Sequence, residues 1–191
     1  TTLMMSQQLL LDKLSFSSSA TSRPNMVVFD IQDKDLDSIK QVTLQSNMPV
    51  LGSVPIVSMK LHGINGKTVD ELKKDTINGV SKWVLDREYR VTYRDSLIDS
   101  EELVSGKWIG NIVHQGDSVF ISLSENFSDD MKVRLGDAIA FNVQGAIIKT
   151  YVGSIRKIDF QRVQPNFLVL FPAGVLENAP KFHVLLTRFL S

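Results

Sequence analysis

The chain reads as an α+β protein: an N-terminal helix, a strand–helix–strand unit, then a long remainder built from short strands. Three observations lead there. Leucines and methionines recur at helical spacing over residues 2–14. A β-branched, aromatic-containing run and a second, largely apolar run flank an amphipathic helical stretch between residues 25 and 66. From Gly136 onward, short apolar runs alternate with glycine turns. With 191 residues, 43% of them hydrophobic, the chain can bury a substantial core.

Taken in order, residues 2–14 carry Leu3, Met4, Leu10, Leu11 and Leu14 on one helical face, and Met5 and Leu9 widen it beyond a single stripe. Ser15 to Pro24, with its serine triplet, has the composition of a linker. Met26 to Gln32 is a predicted strand. Asp33 or Asp35 can cap the next helix, where Leu36, Ile39, Val42 and Leu44 are apolar and Asn47-Met48-Pro49 ends the pattern. Pro55 to Leu61 is the second strand, closed by a turn at Asn65-Gly66. Such a βαβ unit should have parallel strands and a right-handed crossover. Lys67 to Gly79 is polar and reads as a loop with at most a short helix at Val69 to Lys74. Tyr89 to Tyr93, Lys107 to Ile109 and Val119 to Leu123 read as short strands. Ser124 should cap a helix that turns Phe127 and Met131 inward. Ala138 to Val143, Ala146 to Val152, Ser154 to Asp159 and Phe167 to Phe171 follow, with turns at Gly145 and Gly153. That spacing suggests a small barrel or sandwich. His183 to Phe189 is the last predicted strand, and its continuous apolar centre is that of a central one.

Charge and composition remove several function classes. Lysine plus arginine and aspartate plus glutamate both number 21, so the chain lacks the basic excess of a nucleic-acid partner. It has no cysteine, which rules out disulfides and thiolate zinc. No apolar stretch approaches the roughly 18 residues of a spanning helix, and the start, Thr1-Thr2-Leu3, resembles a piece of something larger. Gly66-Lys67-Thr68 imitates the end of a phosphate loop, but Leu61 stands where that loop needs its first glycine. No nucleophile elbow occurs, and His62, His114 and His183 lack partners at metal-site spacing. Glu101-Glu102 and Asp129-Asp130 are adjacent pairs whose side chains point apart, and both read as solvated surface. No cofactor is implied.

One run is not generic. Arg87-Glu88-Tyr89-Arg90-Val91-Thr92-Tyr93-Arg94-Asp95, followed by Gly106-Lys107-Trp108, resembles the REWNLTYRD-like and GKWW-like stretches of large ABC-transporter permeases of the MacB/FtsX kind. Tyr89 and Ile109 stand where that family carries tryptophans. Leu61 to Lys67, Val133 to Phe141 (with Gly136-Asp137) and Arg156 to Asp159 with Gln164-Pro165-Asn166-Phe167 resemble further family blocks in the same order. The likeness covers roughly residues 25–189.

The resemblance implies an extracytoplasmic, periplasmic domain that is not an enzyme. Residues 1–24 would be a stalk helix and linker. Residues 25–66 plus 181–191 would form a porter-like, ferredoxin-like α/β subdomain, in which His183–Phe189 would lie between Met26–Gln32 and Ile56–Leu61 and run antiparallel to both, and 67–180 an inserted β-rich small-barrel subdomain. Arg87, Glu88, Tyr89, Tyr93, Arg94, Gly106, Trp108, Gly136, Asp137, Pro165 and Asn166 would be structural residues of the motifs, some at the junction between subdomains. A separate cytoplasmic ATPase subunit would supply the energy, and lipid or lipoprotein would be the cargo. The intact permease is expected to be dimeric and the isolated domain monomeric. The competing readings are an extracytoplasmic lipid- or ligand-binding module, marked by a deep apolar cleft between the subdomains, and, more remotely, a hydrolase.

Overall fold

A computed structural model describes residues 23–161 and 165–189; the predicted N-terminal helix at 2–14 lies outside the described residues. The fold is mixed α+β, mostly strands with few and short helices.

β1 (Met26–Gln32) leads through a 3-10 turn at Asp33–Asp35 into α1 (Leu36–Gln45), and β2 (Val50–Ile64) follows directly. β10 (Phe182–Thr187) lies between β1 and β2 and runs antiparallel to both. The expected neighbours are therefore present, but the register differs. β10 pairs with Val50 to Ile56 of β2 rather than with Ile56 to Leu61, because β2 begins immediately after Pro49 and is far longer than predicted. Pro55, which has no N–H to donate, is tolerated there because this part of β2 pairs only with β10. The last strand also stops at Thr187, short of the predicted Phe189, whose backbone is instead held by the Asn25 side chain. α1 covers the face bearing Leu185, Thr187 and His183, and the His183 Nε2 lies 2.5 Å from Asp33 Oδ1. The opposite face packs Ile56 and Val184 against Phe167. β1 ends the sheet, with a bulge between Val28 and Ile31 where Asp30 adopts φ 56°.

The C-terminal half of β2 belongs to a second assembly. It pairs with β4 (Glu88–Tyr93) on one side and β7 (Ala138–Val143) on the other. β4 pairs with β9 (Val169–Phe171), β9 with β6 (Val119–Ser124), β6 with β8 (Ala146–Ile158), and β8 with β7. The pairing closes on itself, so these strands form a small barrel whose interior is filled by side chains. Val57, Met59, Tyr89, Val91, Phe141 and Phe171 are among the buried residues that fill it. α2 (Val69–Lys74), α3 (Lys82–Asp86) and α4 (Glu125–Met131) add Leu72, Val84, Phe127 and Met131 to the same core. β3 (Lys67–Thr68) turns back on β2 through Asn65-Gly66, both at positive φ as a tight hairpin requires. β5 (Glu101–Gly106) lies outside the ring against the end of β8.

Four local expectations are corrected. Lys107 to Ile109 is not a strand: Gly106, at φ 80°, ends β5, and the chain turns away. Gly153 is not a turn but an interior residue of the long β8, where a Cβ would come 2.8 Å from Phe120 Cβ. Ser124 occupies the N-cap of α4 without bonding its backbone, while Phe127 and Met131 do point inward. α3 was not expected; it is too short to show a period.

Candidate functional site: a buried ion-pair centre on the barrel wall

Alternation along β6 sends Ile121 and Leu123 into the barrel and Ser122 and Ser124 to its outer wall, and a register shift at Gly153 of β8 moves Ser154 and Arg156 off the face of Val152 to stand opposite those serines. That outer wall is nonetheless buried, and Glu101 of β5, which pairs beside β8, and Arg94, just after β4, reach into it. Arg156 is fully buried, the largest side chain to be so among the described residues. Its Nη1 donates to the Ser122 carbonyl at 2.8 Å and its Nη2 to the Phe167 carbonyl.

Its counter-charge is Glu101, whose side chain is 3% exposed. Glu101 Oε1 accepts a hydrogen bond from Arg94 Nη2 and lies 3.3 Å from Arg156 Nε, close enough for an ion pair although not aligned as a hydrogen bond. Burial lowers the pKa of both arginines, that of Arg156 to about 10, against the opposing pull of Glu101. Arg156 therefore stays charged at neutral pH, and Glu101 must balance it. The hydroxyls of Ser122, Ser124 and Ser154 are buried around this centre without hydrogen-bond partners among the described residues.

The motif residues fall in several separate places. Arg94 belongs to the centre itself, and its N–H extends β4 by bonding the Phe171 carbonyl. Trp108 Nε1 donates to the Asp95 carbonyl at 3.0 Å, and Gly110 packs so closely there that a Cβ would sit 1.8 Å from the same oxygen. Gly106 pairs with Ser154, and Pro165 and Asn166 lead into Phe167, whose carbonyl Arg156 holds. At one end of the barrel, Arg87 lies over Trp83 and Tyr89, and the Tyr89 hydroxyl donates to the Val84 carbonyl at 2.6 Å. Glu88 is exposed opposite Lys60. Tyr93 carries Lys181 over its ring, beside the chain's return to the small sheet. Gly136 and Asp137 form the turn into β7: Gly136 takes φ 88° and Asp137 Oδ2 accepts from the Arg134 N–H.

Glu101 is the correction. Adjacent glutamates do point apart, but on an edge strand lying against the barrel one of them points inward and the other, Glu102, outward. Arg156 lay within a quoted family block, and nothing in its neighbours marked it as buried.

Chemically, two arginines and a carboxylate can hold backbone in place but offer no nucleophile–base pair. Among the described residues no group of three His, Cys, Asp or Glu is placed to hold a metal. The clefts between the small sheet and the barrel, about 470 and 390 Å³, are open and edged by charged residues including Asp33, Lys34, Lys181 and Glu88. No helix among the described residues is long and apolar enough to cross a membrane.

Comparison with known proteins relates the chain to the permeases of ABC transporters, in agreement with the motif blocks. It is 25% identical over 158 residues, 83% of its length, to the uncharacterized ABC transporter permease YbbP of Escherichia coli (strain K12), and spans 18% of that protein. A solved domain of a protein described as a permease from Porphyromonas gingivalis is similar at a TM-score of 0.39 and 12% identity, over 74% of this chain and 58% of that one. No model of a known protein family matches the chain.

Proposed function

We propose that this chain is the periplasmic domain of an ABC-transporter permease of the MacB/FtsX kind. In this reading it has no catalytic activity, and it passes conformational change across the membrane while a separate cytoplasmic ATPase subunit hydrolyses ATP. Lipid or lipoprotein is the cargo in this reading, and the intact permease is a dimer. The observation that carries it is the similarity to a permease over 83% of the chain.

The layout of the small sheet supports the finer assignment of 25–66 plus 181–191 as half of a porter-like subdomain interrupted by 67–180. β10 returns across the whole barrel to lie between β1 and β2. The outer edge of β1 is unpaired among the described residues, and Phe29, Val42 and Leu44 are more than half exposed beside it or on α1. A further helix and strand of the intact protein would cover both features, and residues 1–24 would be the stalk.

Topology labelling tests the reading. The chain is free of cysteine, so Ile77→Cys, at a position 92% exposed, gives the domain a single reporter thiol. In cells expressing the intact permease, with its remaining cysteines removed, a membrane-impermeant maleimide should label that thiol without permeabilisation. Labelling only after the inner membrane is opened would overturn the periplasmic assignment.

A further inference from the structure

A further part of the barrel's outer wall, over β2, β7 and the first half of β8, carries a feature the permease reading does not use. A trough of about 630 Å³ runs over β2, β7 and β8, within the range of about 300–1,000 Å³ typical of ligand sites. Gly63, Ala140 and Lys149 stand in register across the three strands, and Ala138 is the next floor residue. The floor is therefore low. Ile147 and Lys149 rise on one side, and the hairpin with Lys67 and Thr68 on the other. His62, in the bulge of β2, projects beside them.

The lining residues include two lysines and a histidine and no carboxylate. Lys67 is shared with Asp75 at 3.2 Å. Lys149 makes no ion pair among the described residues and rests over the Tyr151 ring, 5.5 Å from its centre. In a chain whose charges sum to zero, this local excess comes from arrangement, not composition.

We propose that the trough docks an extended acidic segment of a partner protein. An extended chain can set small apolar side chains on the alanine floor and direct carboxylates to Lys149 and Lys67, while its own backbone polar groups stay hydrated on the open side. An acyl chain would gain less, because the trough is open along its length and would leave one side of the chain in water. This docking does not depend on the permease assignment, since it rests only on the shape and charge of the wall.

Fluorescence anisotropy on the 191-residue chain tests it, using a fluorescein-labelled peptide of alternating glutamate and valine, with an alternating lysine and valine peptide as control. The acidic peptide should bind, more weakly as salt is raised, and its amide-shift footprint should fall on β2, β7 and β8. Lys149→Glu, and separately Ala140→Phe on the floor, should each weaken it by about tenfold or more. Circular dichroism confirms that each variant is folded, and Lys149→Glu, a surface change, keeps the test valid should Ala140→Phe fail to fold. Absence of binding at millimolar peptide, equal binding by Lys149→Glu, or binding to phosphatidylglycerol vesicles in place of the peptide would overturn the proposal.

Discussion

At the scale of single residues, stability concentrates in Glu101. It is the carboxylate between two arginines, one fully buried, and removing its charge leaves both without their balance. Glu101→Gln should lower unfolding free energy by about 3–5 kcal/mol in urea denaturation. A much smaller change would mean that water or another carboxylate already serves the arginines. Tyr89→Phe removes the donor to the buried Val84 carbonyl and should cost about 1–3 kcal/mol by the same measurement. The sequence made the two residues unequally legible. Tyr89 and Arg94 stand in an unusual aromatic and basic run, whereas Glu101 sits beside a second glutamate in what looks like ordinary surface. Burial of a charge depends on a partner distant in sequence, here Arg156, and no local pattern announces it.

The elements show the same division between local and distant causes. β7 alternates cleanly and is legible, as is the βαβ start, whereas β6 is legible only as a short apolar run buried through its last four residues. The polar stretch after Gly66 reads as a loop with at most a short helix at Val69 to Lys74; α2 forms at those bounds, and its reciprocal Thr68–Glu71 cap explains why so short a helix holds. Thr68→Ala should therefore destabilise by about 1 kcal/mol, read as a shift in the urea midpoint. β8 was read as two strands because Gly153 resembles a turn residue. In the fold, that glycine exists to let Phe120 approach. Gly153→Ala should then cost about 1–3 kcal/mol through overpacking, whereas a turn glycine at negative φ would tolerate the methyl. Circular dichroism melts of that variant discriminate the two. β5 escaped notice because its ladder partner, the end of β8, supplies its order.

For the whole molecule, composition and spacing indicated an α+β chain with a β-rich body, and the antiparallel return of the last strand between the first two was foreseen. The closure of the ring was not derivable from spacing alone, since it depends on parallel pairs, β4 with β9 and β6 with β8, that join distant segments. The small sheet and the barrel share β2, a single strand of 15 residues. They should accordingly unfold in one transition, with far-UV dichroism and tryptophan fluorescence superimposing; two separated midpoints would show that the strand does not bind the halves together. The same strand has a mechanical consequence. It is roughly 50 Å long if extended, gripped at one end by β10 and at the other by β4 and β7. A pull along it loads these ladders in shear, so that many bonds must slip together, whereas a sideways pull on β1 would unzip them singly. A force applied to the small sheet thus travels along one inextensible backbone into the barrel wall. In single-molecule stretching, anchoring at the two ends of β2 should give a far higher rupture force than peeling from β1.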